Sequence, residues 1–301
     1  MPDSELRPAD LDLRLVRYFT VVADHLHFGR AAADLRIAQP SLSRQIRQLE
    51  QQLGVRLFDR TSQGTRLTEA GEVFVPRAKA LLRSAAQGAA ATRAAARPSL
   101  ITIGYTTNLI VTPAVRDLRR QHPDADVQTL HLAWNEPHAA LLDHRVDAVV
   151  ARLPFPTGQL RVTILYDEPR LLLVPLDHRL AGKESVTLDD IADEPIPRMP
   201  DPDWNAFWRI DPRPDGSSAP DGPLVQAIED KNELIAAGQA VAIIPGGIFS
   251  PRPDLTTIPL HDVEPSRVVL ATRADDRRRL VAAFRKSAQS LLTGPACRTD
   301  P

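Results

Sequence analysis

Residues 28–54 read FGRAAADLRIAQPSLSRQIRQLEQQLG, and they resolve into two helices joined by a short turn. The first, about Phe28 to Leu35, offers Ala31, Ala32 and Leu35 on one side, and alanines let two helix backbones approach closely. After the turn Arg36, Ile37, Ala38, a second helix begins near Gln39. Pro40 suits its first turn, where the missing N–H costs nothing and φ is already helical. Its apolar stripe is Leu42, Ile46, Leu49 and Leu53, at i, i+4, i+7 and i+11, and Gly54 is placed to cap its end. Ala38 supplies no side-chain oxygen at the N-cap, which forgoes about 1 kcal/mol.

Upstream, Leu15, Phe19, Val22 and Leu26 repeat the same spacing and predict a helix from about Asp12 to His25. Downstream, Leu57 to Thr68 predicts a hairpin with Thr61, Ser62, Gln63 and Gly64 at its tip. Thr68 then caps a long helix from Glu69 to about Ala96, with Phe74, Ala78, Leu81 and Ala85 on one face and Pro76 removing a backbone donor inside it. A helix of that length spans roughly 40 Å and cannot bury its stripe alone, so pairing with a second copy is expected.

The whole chain has 301 residues, 43% hydrophobic and 25% charged, enough for two or three domains with real cores. Its 37 Lys plus Arg against 38 Asp plus Glu suggest no preference for a polyanion. Division after Arg97 changes that: residues 1–97 carry 15 basic and 10 acidic residues, net +5, leaving 22 and 28, net −6, for the remainder. Such asymmetry hints at a nucleic-acid arm on an acidic partner domain, although a charge run is also ordinary solvated surface. No stretch approaches the roughly 18 uninterrupted apolar residues of a membrane helix, and Met1 to Asp12 lacks the basic start and apolar middle of a signal peptide. The expected location is the cytoplasm. A lone cysteine, Cys297, reads as a tail residue and leaves no internal disulfide or cysteine-built metal site.

From Leu100 the pattern changes. Short apolar runs at Leu100 to Tyr105, Val127 to Leu132, Asp147 to Ala151, Leu171 to Val174, Val241 to Ile244 and Arg267 to Thr272 are expected strands. Between them lie helical segments at about Pro113 to Gln121, Pro137 to His144, Leu188 to Ala192 and Leu224 to Ala237, with a closing amphipathic helix from Arg278 to Leu292. That alternation predicts a parallel-type α/β sheet. Asp211 to Pro223, rich in Pro, Gly, Ser and Asp, reads as an exposed loop.

Opposite its leucines, the helix from Gln39 presents Pro40, Ser41, Arg44, Arg47, Gln48 and Gln51. Arg bonds guanine edges bidentately, Gln does the same to adenine, and Ser holds phosphate, so this face suits a major groove. Taken alone it is equally a solvated helix face. The support helix, turn, following helix and a hairpin bearing Arg60 and Arg66 form, in order, a winged helix-turn-helix.

The run Phe28 to Leu35, then Ala38 Gln39 Pro40 Ser41 Leu42 Ser43 Arg44 Gln45 Ile46, Leu49 Glu50, Leu53 to Arg60 and Leu67 to Gly71, resembles the LysR-type transcriptional regulators over about 60 residues in unbroken register. The resemblance implies an α/β protein overall: a winged helix-turn-helix over 1–68, a linker helix over 69–97, and an effector domain over 98–294 like the periplasmic binding proteins. That domain would have two lobes, about 99–160 with 267–292 and 161–266, joined by two crossover strands around a ligand cleft. It further implies a homodimer through the linker helix, commonly a homotetramer, on double-stranded promoter DNA, with RNA polymerase as a possible partner. Base reading falls on Gln39, Pro40, Ser43 and Arg44, and wing-side phosphate contact on Arg60.

For the cleft, the resemblance places Thr106, Thr107 and Asn108 at the end of the first strand, ahead of a helix start that favours anions such as an organic or aromatic acid. Trp134, Arg152, Met199, Trp204 and Phe207 follow by position as an apolar floor with one cation. Trp204, Phe207 and Trp208 read equally well as core packing of a short helix, and Arg152 as a surface ion pair.

No cofactor or metal is expected, and the reading is not an enzyme. The histidine pairs His25 with His27 and His138 with His144 lack a zinc spacing, no nucleophile elbow or phosphate loop occurs, and Gly246 Gly247 reads as a turn after a strand. Asp189 and Asp190 look like a helix first turn rather than a catalytic pair. The alternative is a cytoplasmic small-molecule-binding protein or enzyme without a DNA role, or a DNA-architectural protein without a ligand.

Overall fold

The computed structural model describes residues 10–61, 64–225, 228–247 and 252–294, so Cys297 and the turn residues Ser62 and Gln63 lie outside the described residues. The chain separates into two compact units, 1–93 and 94–301.

In the first unit, α1 (Leu13–His25), α2 (Phe28–Asp34) and α3 (Gln39–Leu53) are followed by the hairpin β1 (Phe58–Thr61) and β2 (Gly64–Leu67), then α4 (Glu69–Ala95). The predicted stripes meet in one core, except that Leu26 lies at the C-cap of α1 and is exposed: Leu15, Phe19, Val22, Ala31, Leu42, Ile46 and Leu49 are buried together with Ala78 of α4. Phe19 sits at its centre, with ring centroids 5.3 Å from Phe58 and 5.0 Å from Phe74, so a single aromatic ties α1 to the hairpin and to α4. The helix ends follow local chemistry. Asp12 accepts from the Arg14 N–H at 2.8 Å, His27 Nδ1 caps α2 through the N–H groups of Gly29 and Arg30, and Gly54 closes α3 at φ 71°. Thr68 Oγ1 donates to the Arg56 carbonyl at 2.7 Å and accepts from Gly71 N–H at 3.0 Å, fixing the start of α4 to the hairpin. Pro76 is accommodated within α4, which runs on through it.

In the second unit, β3 (Leu100–Thr106), β4 (Asp126–Leu132), β5 (Ala148–Arg152), β6 (Leu160–Glu168) and β12 (Ser266–Arg273) form a five-stranded sheet in the order β4-β3-β5-β12-β6. β3 pairs parallel with β4 and β5, as the alternating pattern predicts, whereas β12 pairs antiparallel with β5 and β6. α5 (Thr112–Gln121) and α9 (Arg279–Leu291) cover it, with Leu118 and Phe284 fully buried among strand residues Ile101, Ile103 and Val268. α6 (Pro137–Leu142) contributes to a second cluster with Leu141 and Val149.

The other lobe holds β7 (Arg170–Pro175), β10 (Ala242–Pro245) and β11 (Leu255–Pro259) in the antiparallel order β10-β7-β11. It also holds the parallel pair β8 (Ile196–Arg198) and β9 (Asp221–Leu224), the short α7 (Pro202–Asn205), a π-turn at Ala206–Ile210, and α8 (Ile228–Ala236). Two expectations are corrected here. The sequence pattern marks no strand over Leu160 to Glu168 and assigns 161–266 to the second lobe, but β6 pairs with β12 along Leu160 to Glu168, so the chain changes lobe at Pro169. The stretch Asp211 to Pro223 is not merely an exposed loop: Arg209 donates into it, to the carbonyls of Ala219 and Pro220 and to the Asp221 carboxylate, and Arg213 and Ala219 are buried within it. The guanidinium that satisfies these loop carbonyls comes from Arg209, outside the stretch, whose turn composition gives no sign of it.

Candidate nucleic-acid face and effector cleft

On α3 the wheel deduced from sequence is the one observed. Gln39, Pro40, Arg44, Arg47 and Gln48 are exposed and Ser41 is half-buried, while Leu42, Ile46 and Leu49 point inward. Ser43, which the resemblance rather than the wheel assigns to base reading, is 7% exposed, and its carbonyl accepts from Arg47 Nε at 3.2 Å. Ala38 makes no side-chain cap, as its methyl dictates. Arg60 pairs with Thr65 and Arg66 with Asp59 across the hairpin; Arg66 is exposed, and the Arg60 side chain lies outside what is described.

In the second unit, a cavity of about 320 Å³ lies between the two sheets. One lobe contributes Thr106, Thr107, Asn108, Trp134, Arg152 and Pro154. The other contributes Trp204 and Trp208, Lys231 and Asn232 of α8, and Leu173, Ile243, Leu255 and Thr257 of its sheet. Six of the eight sequence-deduced residues therefore meet at one cavity. Asn108 adopts φ 60°, which turns the chain sharply out of β3, and Leu109 N–H closes that turn on the Thr106 carbonyl at 3.1 Å.

Met199 and Phe207 do not line the cavity. Met199 is 2% exposed, and its backbone is held by Asn205 through bonds of 2.9 and 2.7 Å, so it belongs to the lobe interior. Phe207 packs its ring 4.4 Å from the Arg170 guanidinium, which also donates to the carbonyls of Phe207 and Glu264. Burial pulls Arg170 down to about 10. This cluster ties Arg170, just after one crossing between lobes, to Glu264, just before the other. Trp208 belongs to both settings: it is 6% exposed in the lobe core and also lines the cavity.

Arg152 is a buried ion pair rather than a surface one. Nε and Nη2 donate to Glu168 at 2.7 and 3.1 Å, and Nη1 donates to the Thr107 carbonyl at 2.7 Å. Lys231, 6% exposed, and Arg252, paired with Asp254, are cavity residues that sequence reasoning missed. Both come from α8 or beyond, far along the chain, and no local pattern marks them. Asp189 and Asp190 lie on a 3₁₀ turn; the Lys183 ammonium and the Thr187 N–H hold Asp190 down to about 2, a capping role. Among the described residues no group of three or more His, Cys, Asp or Glu side chains is placed to hold a metal, and no helix is long and apolar enough to cross a membrane.

A family model described as the LysR substrate binding domain matches residues 96–292, and one described as the bacterial regulatory helix-turn-helix protein, lysR family, matches residues 13–72. The chain belongs to the LysR-type transcriptional regulators. Among curated relatives, the HTH-type transcriptional regulator AlsR of Bacillus subtilis (strain 168) is 34% identical over 203 residues, 66% of this chain and 67% of AlsR. The probable cat1 operon transcriptional activator of Acinetobacter lwoffii is 30% identical over 290 residues, 90% of this chain and 93% of that one. Among solved structures, a mutant of full-length BenM matches with a TM-score of 0.54 at 26% identity, covering 95% of this chain and all, 100%, of that one. This LysR-type regulator is thus a DNA-binding protein with an effector-binding domain, and the enzyme reading falls with that assignment.

Proposed function

We propose that a small organic anion occupies the cleft of this LysR-type regulator and sets how its winged helices engage a promoter in the cytoplasm. The observation that carries this is the cavity itself. It draws walls from both lobes and sets Thr106, Thr107, Asn108, Asn232 and Lys231 around an apolar, aromatic floor. A polar, cation-containing rim over an aromatic floor suits an acid with a flat or compact body. The exposed faces of Gln39, Pro40, Ser41, Arg44, Arg47 and Gln48, with Arg60 and Arg66 on the wing, are the proposed DNA contacts. Ser43, 7% exposed, is left outside this proposed set. Beyond Ala78, α4 leaves its alanine face unburied within one chain, which supports a homodimer through α4; a homotetramer and contact with RNA polymerase extend that reading.

The experiment is thermal denaturation of the full chain against a panel of benzoate, salicylate, succinate and muconate, repeated on Thr106→Val. A ligand that binds only the folded state raises the melting temperature. The reading expects at least one acid to raise it in the wild type and to do so less in the variant. A shift that is identical in both would remove the ligand from this cavity.

A further inference from the structure

The chain contains three tryptophans, and all three meet at the cleft. Trp134 follows β4 in one lobe, whereas Trp204 and Trp208 sit on α7 and the π-turn of the other. Their rings run in series, with centroids 5.9 Å apart for Trp134 and Trp204 and 6.2 Å for Trp204 and Trp208. Paired aromatic rings in direct contact lie about 4.5–7 Å apart, so no third ring fits between Trp134 and Trp204.

The turns that carry the two rings facing each other across the cleft are hydrogen-bonded on both sides. Trp134 rides on a turn in which Glu136 N–H donates to the Ala133 carbonyl at 3.1 Å and Glu136 Oε2 accepts from Ala133 N–H at 2.7 Å. The other carboxylate oxygen of Glu136 accepts from Arg145 at 2.7 Å. The Ala133 N–H and the Arg145 guanidinium together hold that carboxyl below its ordinary value. On the opposite side, Asp201 accepts from Trp204 N–H at 2.8 Å, and Asn205 is bonded to both backbone groups of Met199. Two braced turns from different lobes therefore present their rings to each other. A flexible side chain drifting into empty space would need neither brace.

We propose that Trp134 is a specificity-determining residue: clasped on Trp204, its ring closes one end of the cleft and limits the size of the molecule that can enter. Glu136 is the positioning residue that holds the ring there. The size limit rests on the cleft being the effector site, as proposed above; the clasp itself does not.

The test needs no effector. The full chain, labelled with 5-fluorotryptophan, gives three ¹⁹F resonances, assigned by single Trp→Phe variants, and the compact nitroxide 4-hydroxy-TEMPO serves as the probe. The Trp204 resonance is expected to be protected from nitroxide broadening in the wild type and in Trp134→Phe, and to lose that protection in Trp134→Ala. Glu136→Ala, which keeps all three rings, is expected to lose part of it. Broadening of Trp204 in the wild type equal to that in Trp134→Ala would overturn the clasp, and so would protection that survives Trp134→Ala. An effector found elsewhere in the protein would instead overturn the cleft reading and leave these line widths unchanged.

Discussion

The Arg152 guanidinium and the Glu168 carboxylate form a two-point ion pair, at 2.7 and 3.1 Å, in which Glu168 is 1% exposed. Arg152 ends β5 and lines the cavity; Glu168 ends β6, one residue before the chain crosses to the second lobe. Through its third bond, to the Thr107 carbonyl, Arg152 connects that crossover to the strand end that forms the cleft wall. Removing one member of a buried pair leaves the other charge uncompensated, at a cost of about 3–5 kcal/mol. Glu168→Ala should therefore lower the stability of the second unit by that order. Urea denaturation followed by far-UV circular dichroism measures it, and an unchanged midpoint would show that the pair is energetically idle.

Gly247 reports on the same junction from the other lobe. A Cβ at that position would stand 2.1 Å from Glu168 Oε1 and 3.4 Å from Arg152 Nη2, too close to the carboxylate for any real contact. The neighbouring Gly246 N–H donates to the Pro169 carbonyl at 2.7 Å, so the backbone has little freedom to withdraw. Gly247→Ala should destabilise by about 1–3 kcal/mol, the usual range for forcing extra volume into a packed site. Pairing it with Glu168→Ala should recover part of that loss, because the clashing carboxylate is gone. Strict additivity in the double variant would contradict the contact.

How much of this was legible in the sequence depends on the reach of the interaction. Leu42, Ile46 and Leu49 announce their face because helical spacing is local, and Gln39 as the start of α3 follows from Pro40 beside it. The cleft is different in kind. Trp134 and Trp204 are far apart in the chain, and only the lobe arrangement brings them to 5.9 Å. β6 escaped because an edge strand reading LRVTILYDE alternates irregularly and its residues are mostly half-buried, so no clean period of two survives. Position along the chain does not separate Phe207 and Met199 from the cavity residues: the Arg170 contact of Phe207 and the Asn205 bonds of Met199 are long-range or turn-specific and carry no local pattern.

Acid should reach the second unit through a different cluster. Asp276 sits between Arg273 and Arg278, with Asp147 completing the knot that joins β5, β12 and α9. Burial alone would raise its pKa, but hydrogen bonds from Arg278 and Arg273 outweigh that and hold it at about 2. A folded pKa below the ordinary carboxylate value means that the stabilisation is complete above about pH 4 and is lost as pH falls towards 2. The melting temperature of the wild type should drop across that window, and Asp276→Asn should be less stable at neutral pH with a shallower acid slope. Parallel acid slopes for the two proteins would place the titration elsewhere.

On the wing, Arg66 is exposed and Arg60 occupies the adjoining strand. If these arginines meet phosphate, replacing either with Ala should weaken binding to every sequence and reduce the slope of log K against log salt by about 1. Fluorescence anisotropy on a fixed duplex at several potassium chloride concentrations reads that slope. A sequence-dependent loss with an unchanged slope would assign them to base contact instead.

The proposed role of α3 is that its exposed face reads promoter bases. Its most direct test is a footprint, at one salt concentration, of the full chain and of Arg44→Ala on a duplex selected by the wild type from random DNA. Arg44 is exposed on α3 beside Gln48, and loss of one bidentate base contact costs about 1–3 kcal/mol. Arg44→Ala is expected to need roughly ten-fold or more protein to protect the selected site while keeping its affinity for unrelated DNA. Identical footprints for the two proteins would contradict it.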